Sequence, residues 1–256
     1  MKRLLVVVLV PLVLVGMGLG WLHGGKIRAL LTDLIWHRGK ADLTRVKRSL
    51  RHQLAQKGLR PGDEVFIRIF KEESRLELWM RRRGEKRFKL ARAYPVCAWS
   101  GKLGPKLKEG DRQSPEGFYE VTRRSLNPNS RYHLSFNLGY PNAYDRAHRR
   151  TGSFLMVHGS CVSIGCYAMT NAKMEEIYTL VRAALRNGQG SVPVHIFPFR
   201  MTEENLRKHA DNQWIAFWRN LKTGHDLFEK HHAPPCAYVR NRQYAFRQCR
   251  QKRAAK

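Results

Sequence analysis

The sequence predicts a mostly β domain with flanking helices, an α+β fold, and three observations carry that expectation. Apolar side chains alternate across residues 65–70 and 76–80, which is the period of strands. Glycine and proline punctuate residues 101–121, which excludes a helix there. Helical spacing of apolar residues is confined to 41–60 and to segments beyond 170.

Taken in order, residues 41–60 read as a basic helix with Leu43, Val46, Leu50 and Leu54 on one face and Gly58 near its end. Val65, Ile67 and Ile69 alternate with Phe66, Arg68 and Phe70, and Leu76, Leu78 and Met80 follow a polar loop at 71–74, so the two runs form a hairpin. Residues 87–100 offer a strand pair or one long strand ending at Gly101, and Phe118 opens another strand. Strands are expected at 132–138 and 153–158. Asn171 is read as the cap of a helix with an apolar face of Met174, Ile177, Val181, Ala184 and Leu185, stopped by Gly188. Residues 192–197 form a strand, and Trp214, Phe217, Trp218 and Leu221 mark a helix ending at Gly224. The last segment, 237–256, has seven Arg/Lys and no acid, and reads as a solvated or disordered basic tail.

The chain carries 48 Lys+Arg against 20 Asp+Glu, a formal charge of +28. With 43% hydrophobic residues it is neither disordered nor low-complexity, and the charge calls for an anionic partner. Lys2 and Arg3 precede an apolar run of 19 residues, 4–22, with Lys26 and Arg28 behind it. That pattern is an export signal, long enough to remain as an uncleaved inner-membrane anchor, with secretion after cleavage as the alternative. An exported chain does not meet nucleic acid, so the charge points to an anionic envelope surface, membrane or wall. Five cysteines (Cys97, Cys161, Cys166, Cys236, Cys249) are too few for a disulfide scaffold, and an odd number leaves at least one thiol free or paired to another chain. No pairing among them follows from spacing.

The segment VHGSCVSIGCYAMTN, 157–171, concentrates the chemistry. His158 ends a strand, and Cys166 follows after seven residues that include Gly159 and Gly165. A thiol becomes a useful nucleophile when a base takes its proton, and a glycine lets backbone N–H groups approach a developing oxyanion. Other readings of these residues stand beside that one: a buried structural His/Cys pair, a metal site drawn from His158, Cys161, Cys166 and His195, or a Cys161–Cys166 disulfide that would abolish the nucleophile.

The segment resembles the catalytic motif of the L,D-transpeptidase (YkuD-domain) family, a His-Gly followed by Ser-x-Gly-Cys, here His158-Gly159 and Ser163-Ile164-Gly165-Cys166. Upstream, Gly110, Asp111, Ser114, Pro115, Gly117 and Tyr119 resemble the family's Gly-Asp…Thr-Pro-x-Gly-x-Tyr strand, and 138–146 and 192–199 are similar as well. The resemblance spans 65–199 and implies a β-sandwich or barrel catalytic domain. It implies Cys166 as nucleophile, His158 as its base, the Gly159 carbonyl as orienter of the imidazole, and the Gly165 and Cys166 amides as oxyanion donors. It further implies peptidoglycan peptide stems as substrate and no cofactor or metal. Compared with the family's commoner form the His–Cys stretch is short, and Ile164 stands where a second histidine is usual. This short form resembles the murein–lipoprotein cross-link hydrolases within the family, which makes a wall-linked lipoprotein a partner to expect.

Tyr140, Asn142, Asp145 and Arg146 precede the catalytic strand, and Tyr140, Asn142 and Arg146 are expected to contact substrate along with Ser163, although a loop held by Asn142 and a local Asp145–Arg146 network accounts for them equally well. His195 reads as a core or surface histidine, His231-His232 as a solvated loop, and the Trp214/Trp218 face as core. The expected organisation is an anchor at 1–25, a basic helical linker at 26–60, the catalytic domain at 61–200, a helical extension at 201–236 and the basic tail at 237–256. Two rival functions fit less well: a papain-like peptidase, which places cysteine before histidine, and a non-catalytic wall- or lipid-binding module.

Overall fold

The computed structural model describes residues 42–249. The apolar run at 4–22 therefore lies outside the described residues, and among those described no helix is long and apolar enough to cross a membrane.

The expected hairpin is β1 (Glu64–Phe70) and β2 (Arg75–Arg81), antiparallel from Glu64↔Arg81 to Phe70↔Arg75. With β3 (Lys89–Pro95), β4 (Gly117–Val121) and β9 (Val192–Phe197) it forms a five-stranded sheet in the order β3-β2-β1-β9-β4. Both faces of β1 are buried, which explains why its aromatic residues alternate with aliphatic ones and not with polar ones. Val65, Ile67 and Ile69 are fully buried on the face toward α3 (Asn171–Arg186), whose Met174, Ile177, Leu180, Val181 and Leu185 are fully buried too. On the other face Phe66 meets Phe228, and Phe70 joins Phe197, Trp218 and Leu221 in one core cluster, under α5 (Ile215–His231). Each large apolar side chain buried this way contributes about 1.5–3 kcal/mol.

The second sheet has four strands in the order β5-β6-β7-β8: Leu126–Ser130, His133–Asn137, Met156–His158 and Tyr167–Ala168. Helix α3 touches β6 of this sheet as well as β1 and β9 of the first, so it ties the two together. Helix α1 (Leu43–Ala55) packs on α3 through the buried Leu50 and Leu54, so this part of the expected linker belongs to the fold. The short helices α2 (Ala143–Ala147) and α4 (Glu203–Lys208) complete the helical set.

Several expectations need correction. Residues 87–100 hold the single strand β3, and the strand expected at 153–158 begins only at Met156, because Phe154 has a left-handed φ of 53°. Thr170, not Asn171, caps α3; its hydroxyl accepts from the Lys173 amide. Helix α5 runs past Gly224 to His231. Gly224 is required by close approach, since a Cβ there would lie 2.5 Å from Phe246 and 2.6 Å from Phe118. The basic tail is folded as far as residue 249: β10 (Cys236–Arg240) and β11 (Gln243–Arg247) pair antiparallel and are closed by a Cys236–Cys249 disulfide. Tyr244 anchors this hairpin, stacked on Tyr144 at 4.2 Å with its hydroxyl accepting from Asn142 Nδ2 at 2.8 Å.

Candidate active site

Strand β7 pairs in parallel with β8, Val157 opposite Tyr167 and His158 opposite Ala168. Cys166 lies in a bend just before β8, two residues ahead of the Ala168 that pairs with His158. The imidazole is buried, with Nδ1 2.5 Å from the Gly159 carbonyl oxygen and the ring 4.8 Å from that of Tyr132. A carbonyl can only accept, so Nδ1 carries the hydrogen and Nε2 is the bare, basic nitrogen. Burial holds the histidine below its ordinary value of 6.5, against the opposing pull of the Gly159 bond. The ring is thus neutral at neutral pH.

Among the described residues Cys166 is the free cysteine. Burial pushes its thiol above the ordinary value of 9.0, while the Met156 N–H and the Lys106 ammonium pull it down. At neutral pH the resting pair is therefore thiol and neutral imidazole, which is the starting state for general-base activation and not a preformed ion pair. The sulfur also lies 3.8 Å from the Phe154 carbonyl oxygen.

Hydroxyl groups fix the backbone at the cysteine. The Cys166 carbonyl accepts from Ser114 Oγ at 2.9 Å and Ser163 Oγ at 2.8 Å, and Ser163 Oγ is 3.1 Å from Ser100 Oγ. Ser114 Oγ in turn accepts from the Ser100 amide at 3.0 Å. The next residue, Tyr167, donates its hydroxyl to the Pro115 carbonyl at 2.7 Å. The upstream motif thus meets the His–Cys segment through Ser114 and Pro115. Gly159 excludes any side chain, since a Cβ would fall 2.7 Å from Asn171 Oδ1 and 3.0 Å from the Tyr132 carbonyl. Gly165 has a φ of +135°, a conformation that side-chain-bearing residues rarely adopt.

The sequence-predicted site residues separate into two groups. His158 ends β7 with Gly159 after it, and Gly165 and Cys166 lead into the neighbouring β8. The Gly165 N–H, expected to face an oxyanion, donates to Ser163 Oγ at 3.2 Å, and the amide facing the sulfur is that of Met156. Of the expected substrate contacts, Tyr140 is buried and donates to the Lys106 carbonyl at 3.1 Å. Asn142 caps α2, accepting from the Asp145 amide at 2.9 Å and donating to the Phe118 carbonyl at 2.9 Å. Ser163 is engaged with Cys166 as described. These three side chains hold the scaffold, and Arg146 alone of the four is exposed. Asp145 pairs with Arg150 at 2.9 Å, not with Arg146, whose guanidinium bonds to the Pro141 carbonyl.

The candidate metal set does not gather. Cys161 is bonded to Cys97, and His195 is buried with its ring 4.6 Å from those of Phe66 and Phe118. The Cys97–Cys161 bond also removes the Cys161–Cys166 alternative. His232 sits at the C-terminal end of α5 with a φ of 49°. Three features had no sequence signal: the Tyr132 ring against His158, the Met156 amide on the sulfur, and the burial of Lys106 beside Asp111 at 2.5 Å.

The YkuD family model, described as an L,D-transpeptidase catalytic domain, matches residues 64–196. The chain is 51% identical over 183 residues to YafK of Escherichia coli (strain K12), a protein whose given name proposes an L,D-transpeptidase, covering 72% of this chain and 74% of that one. Among solved structures, the helical cell shape determining protein Pgp2 of Campylobacter jejuni is 22% identical, with a TM-score of 0.42 over 59% of this chain and 56% of that one. Bd1075 of Bdellovibrio bacteriovorus is 18% identical, with a TM-score of 0.37 over 70% of this chain and 78% of that one.

Proposed function

Since the chain belongs to the YkuD family of L,D-transpeptidase catalytic domains, we propose that it is an envelope enzyme that cleaves peptidoglycan peptide stems through a thioester on Cys166. Its peptidoglycan-related role comes with the family; the nucleophile, the bond attacked and the fate of the thioester are the content of the proposal. The supporting observation is the free Cys166 two residues before the register partner of His158, whose Nδ1 is locked on the Gly159 carbonyl.

The chemistry follows from those protonation states. Nε2 of His158 takes the Cys166 proton as the sulfur attacks the carbonyl of the third, diaminopimelate-type residue of the stem. The tetrahedral oxyanion collapses, the C–N bond breaks, and the departing amine takes the proton back from His158. The leaving group is the terminal D-residue or an attached protein. Water or an amine, deprotonated by the same imidazole, then attacks the thioester and releases Cys166. No step calls for a cofactor. Residues 61–200 act as the catalytic domain, and the N-terminal apolar run delivers the enzyme to the envelope, where its basic surface faces an anionic wall.

Ile164, in place of the usual second histidine, together with the short loop gives a wetter or differently shaped acceptor side, which favours water or a narrow acceptor over a second peptide stem. Hydrolysis of a linked peptide or protein should therefore exceed stem-to-stem cross-linking. Purified protein incubated with tetrapeptide muropeptides and with lipoprotein-bearing sacculi, followed by mass spectrometry of the products, tests this directly. Release of shortened stems and of lipoprotein supports the proposal. Cross-linked dimers with no loss of lipoprotein overturn the hydrolytic assignment, and the absence of any product together with tight sacculus binding would favour a non-catalytic binding module.

A further inference from the structure

The loop between His158 and Cys166 lacks the anchor that short loops generally use. Its two large apolar side chains point outward, Val162 at 58% and Ile164 at 77% exposure, so no hydrophobic contact seats it. The Val162 amide bonds only locally, to the Ser160 carbonyl at 2.8 Å. Hydrogen bonds tie it to the domain at the Ser160 amide, which donates to Asn171 Oδ1 at 2.9 Å, and at Ser163 Oγ, 3.1 Å from Ser100 Oγ, and one covalent tie lies between them: Cys161 is joined to Cys97, with Cα atoms 5.4 Å apart. Cys97 and its neighbour Ala98 also hold the other side of the nucleophile. The Cys97 and Ala98 amides donate to the Ala168 carbonyl at 2.8 and 3.2 Å, and the Ala168 amide donates to the Ala98 carbonyl at 2.8 Å. One two-residue segment therefore clamps the chain five residues before Cys166 and two residues after it.

We propose that the Cys97–Cys161 disulfide is a positioning element of the active site, setting Cys166 against His158, and that its reduction switches the enzyme to a slow state. This inference rests on the assignment of Cys166 as nucleophile. In the reduced state the loop keeps only the Ser160 amide and Ser163 hydroxyl bonds, each a modest net contribution, against the entropy of a glycine-flanked segment. A dithiol reductant supplies two electrons and two protons, converts the bridge to two thiols and itself becomes a cyclic disulfide. Neither cysteine lies within a strand, Cys97 coming two residues after β3 ends, so the fold should persist while the nucleophile loses its alignment. Misplacement by about an ångström costs on the order of 10² in rate.

The test uses the double variant Cys97→Ser/Cys161→Ser, because Cys97→Ser alone frees Cys161, five residues from Cys166, and Cys161→Ser alone frees Cys97, and either thiol could pair with Cys166. Turnover is expected to fall about 10- to 100-fold in kcat with KM little changed. The pH midpoint for alkylation of Cys166 should move down toward the ordinary thiol value of 9.0 as the sulfur gains water. A purely structural bridge would lower thermal stability without moving that midpoint. If the double variant does not fold, wild-type enzyme titrated with dithiothreitol serves instead, with each bridge followed by differential alkylation. Activity should then track Cys97–Cys161, and a Cys236→Ser/Cys249→Ser variant should keep its sensitivity to reductant. Turnover within twofold of wild type and an unmoved alkylation midpoint, or activity indifferent to reduction of Cys97–Cys161, overturns the inference. If Cys166→Ala retains turnover, the nucleophile assignment has failed; if it is dead while the double serine variant is fully active, the positioning role alone has failed.

Discussion

The two sheets of this protein differ in how their residues are held. In the five-stranded sheet the hairpin strands β1 and β2 are seven residues each, and the buried charges are paired. Arg68 meets Glu77 at 2.8 Å, and Lys71 meets Glu116 at 3.0 Å with both side chains fully buried. Trp218 Nε1 adds a bond to the second Glu116 oxygen at 2.9 Å. In the four-stranded sheet the strand carrying His158 has three residues and the one following Cys166 has two. Its surroundings expose Phe154, Val162 and Ile164, while Val157, Tyr167 and Ala168 are fully buried, and serine hydroxyls and a disulfide hold the loop that leads into Cys166. The buried ion pairs thus lie where no chemistry is proposed, and the proposed nucleophile follows an exposed loop. Changes on the two sides should therefore separate cleanly into loss of rate and loss of fold.

The largest effect belongs to the nucleophile. Cys166→Ala should lower turnover by about 10³-fold or more and leave the melting temperature close to wild type, because the side chain packs little; a steady-state assay beside a thermal melt checks both. His158→Ala should slow acylation by about 10²–10⁴. In the wild-type enzyme protonation of His158 removes the base, so activity should be present above pH 6.5 and be lost as pH falls through the depressed histidine value. That acid limb should be absent from the pH–rate profile of the variant.

On the other side, Glu116→Gln strands the buried Lys71 ammonium and should cost about 3–5 kcal/mol of stability, read as a lower urea midpoint, with Cys166 alkylation unchanged in the folded protein. Glu77 offers a pH test of the same sheet. Burial raises its pKa, but Arg68 and Arg200 outweigh that and hold it at about 2 against an ordinary 4.5. Its stabilisation is thus present above pH 4.5 and is lost as pH falls toward 2. Glu77→Gln should flatten the acid slope of the urea midpoint over that window. The smallest effect is expected from Tyr244→Phe, which removes the acceptor of the Asn142 bond and should cost about 1–2 kcal/mol.

Sequence made the stable sheet and the reactive pair legible for different reasons. β1, β2 and β9 were readable because each is a short run rich in apolar and β-branched residues bounded by polar turns. His158, Gly159, Gly165 and Cys166 stood out as candidates because one nine-residue motif holds them. The roles of Tyr140, Asn142 and Ser163 were not, since whether a polar side chain turns to substrate or to its own backbone depends on partners such as Tyr244, 102 residues away. β5 was hidden by Pro128 and three polar residues. The C-terminal hairpin was masked by its charge, although Tyr238, Tyr244 and Phe246 alternate around Asn241 and Arg242, whose φ values of 50° and 60° make a tight turn of the kind that joins two strands. Gly224 looked like a helix stop because sequence cannot distinguish a terminating glycine from one required by the passage of Phe246.

Intact-protein mass spectrometry, seconds after mixing the enzyme with a tetrapeptide muropeptide, tests the central claim most directly. A covalent adduct with the mass of the stem less its terminal residue should appear, map to Cys166, be released by hydroxylamine as a thioester is, and be absent from Cys166→Ala. Turnover with no such adduct, or an adduct on any other residue, would contradict the assignment of Cys166 as the nucleophile.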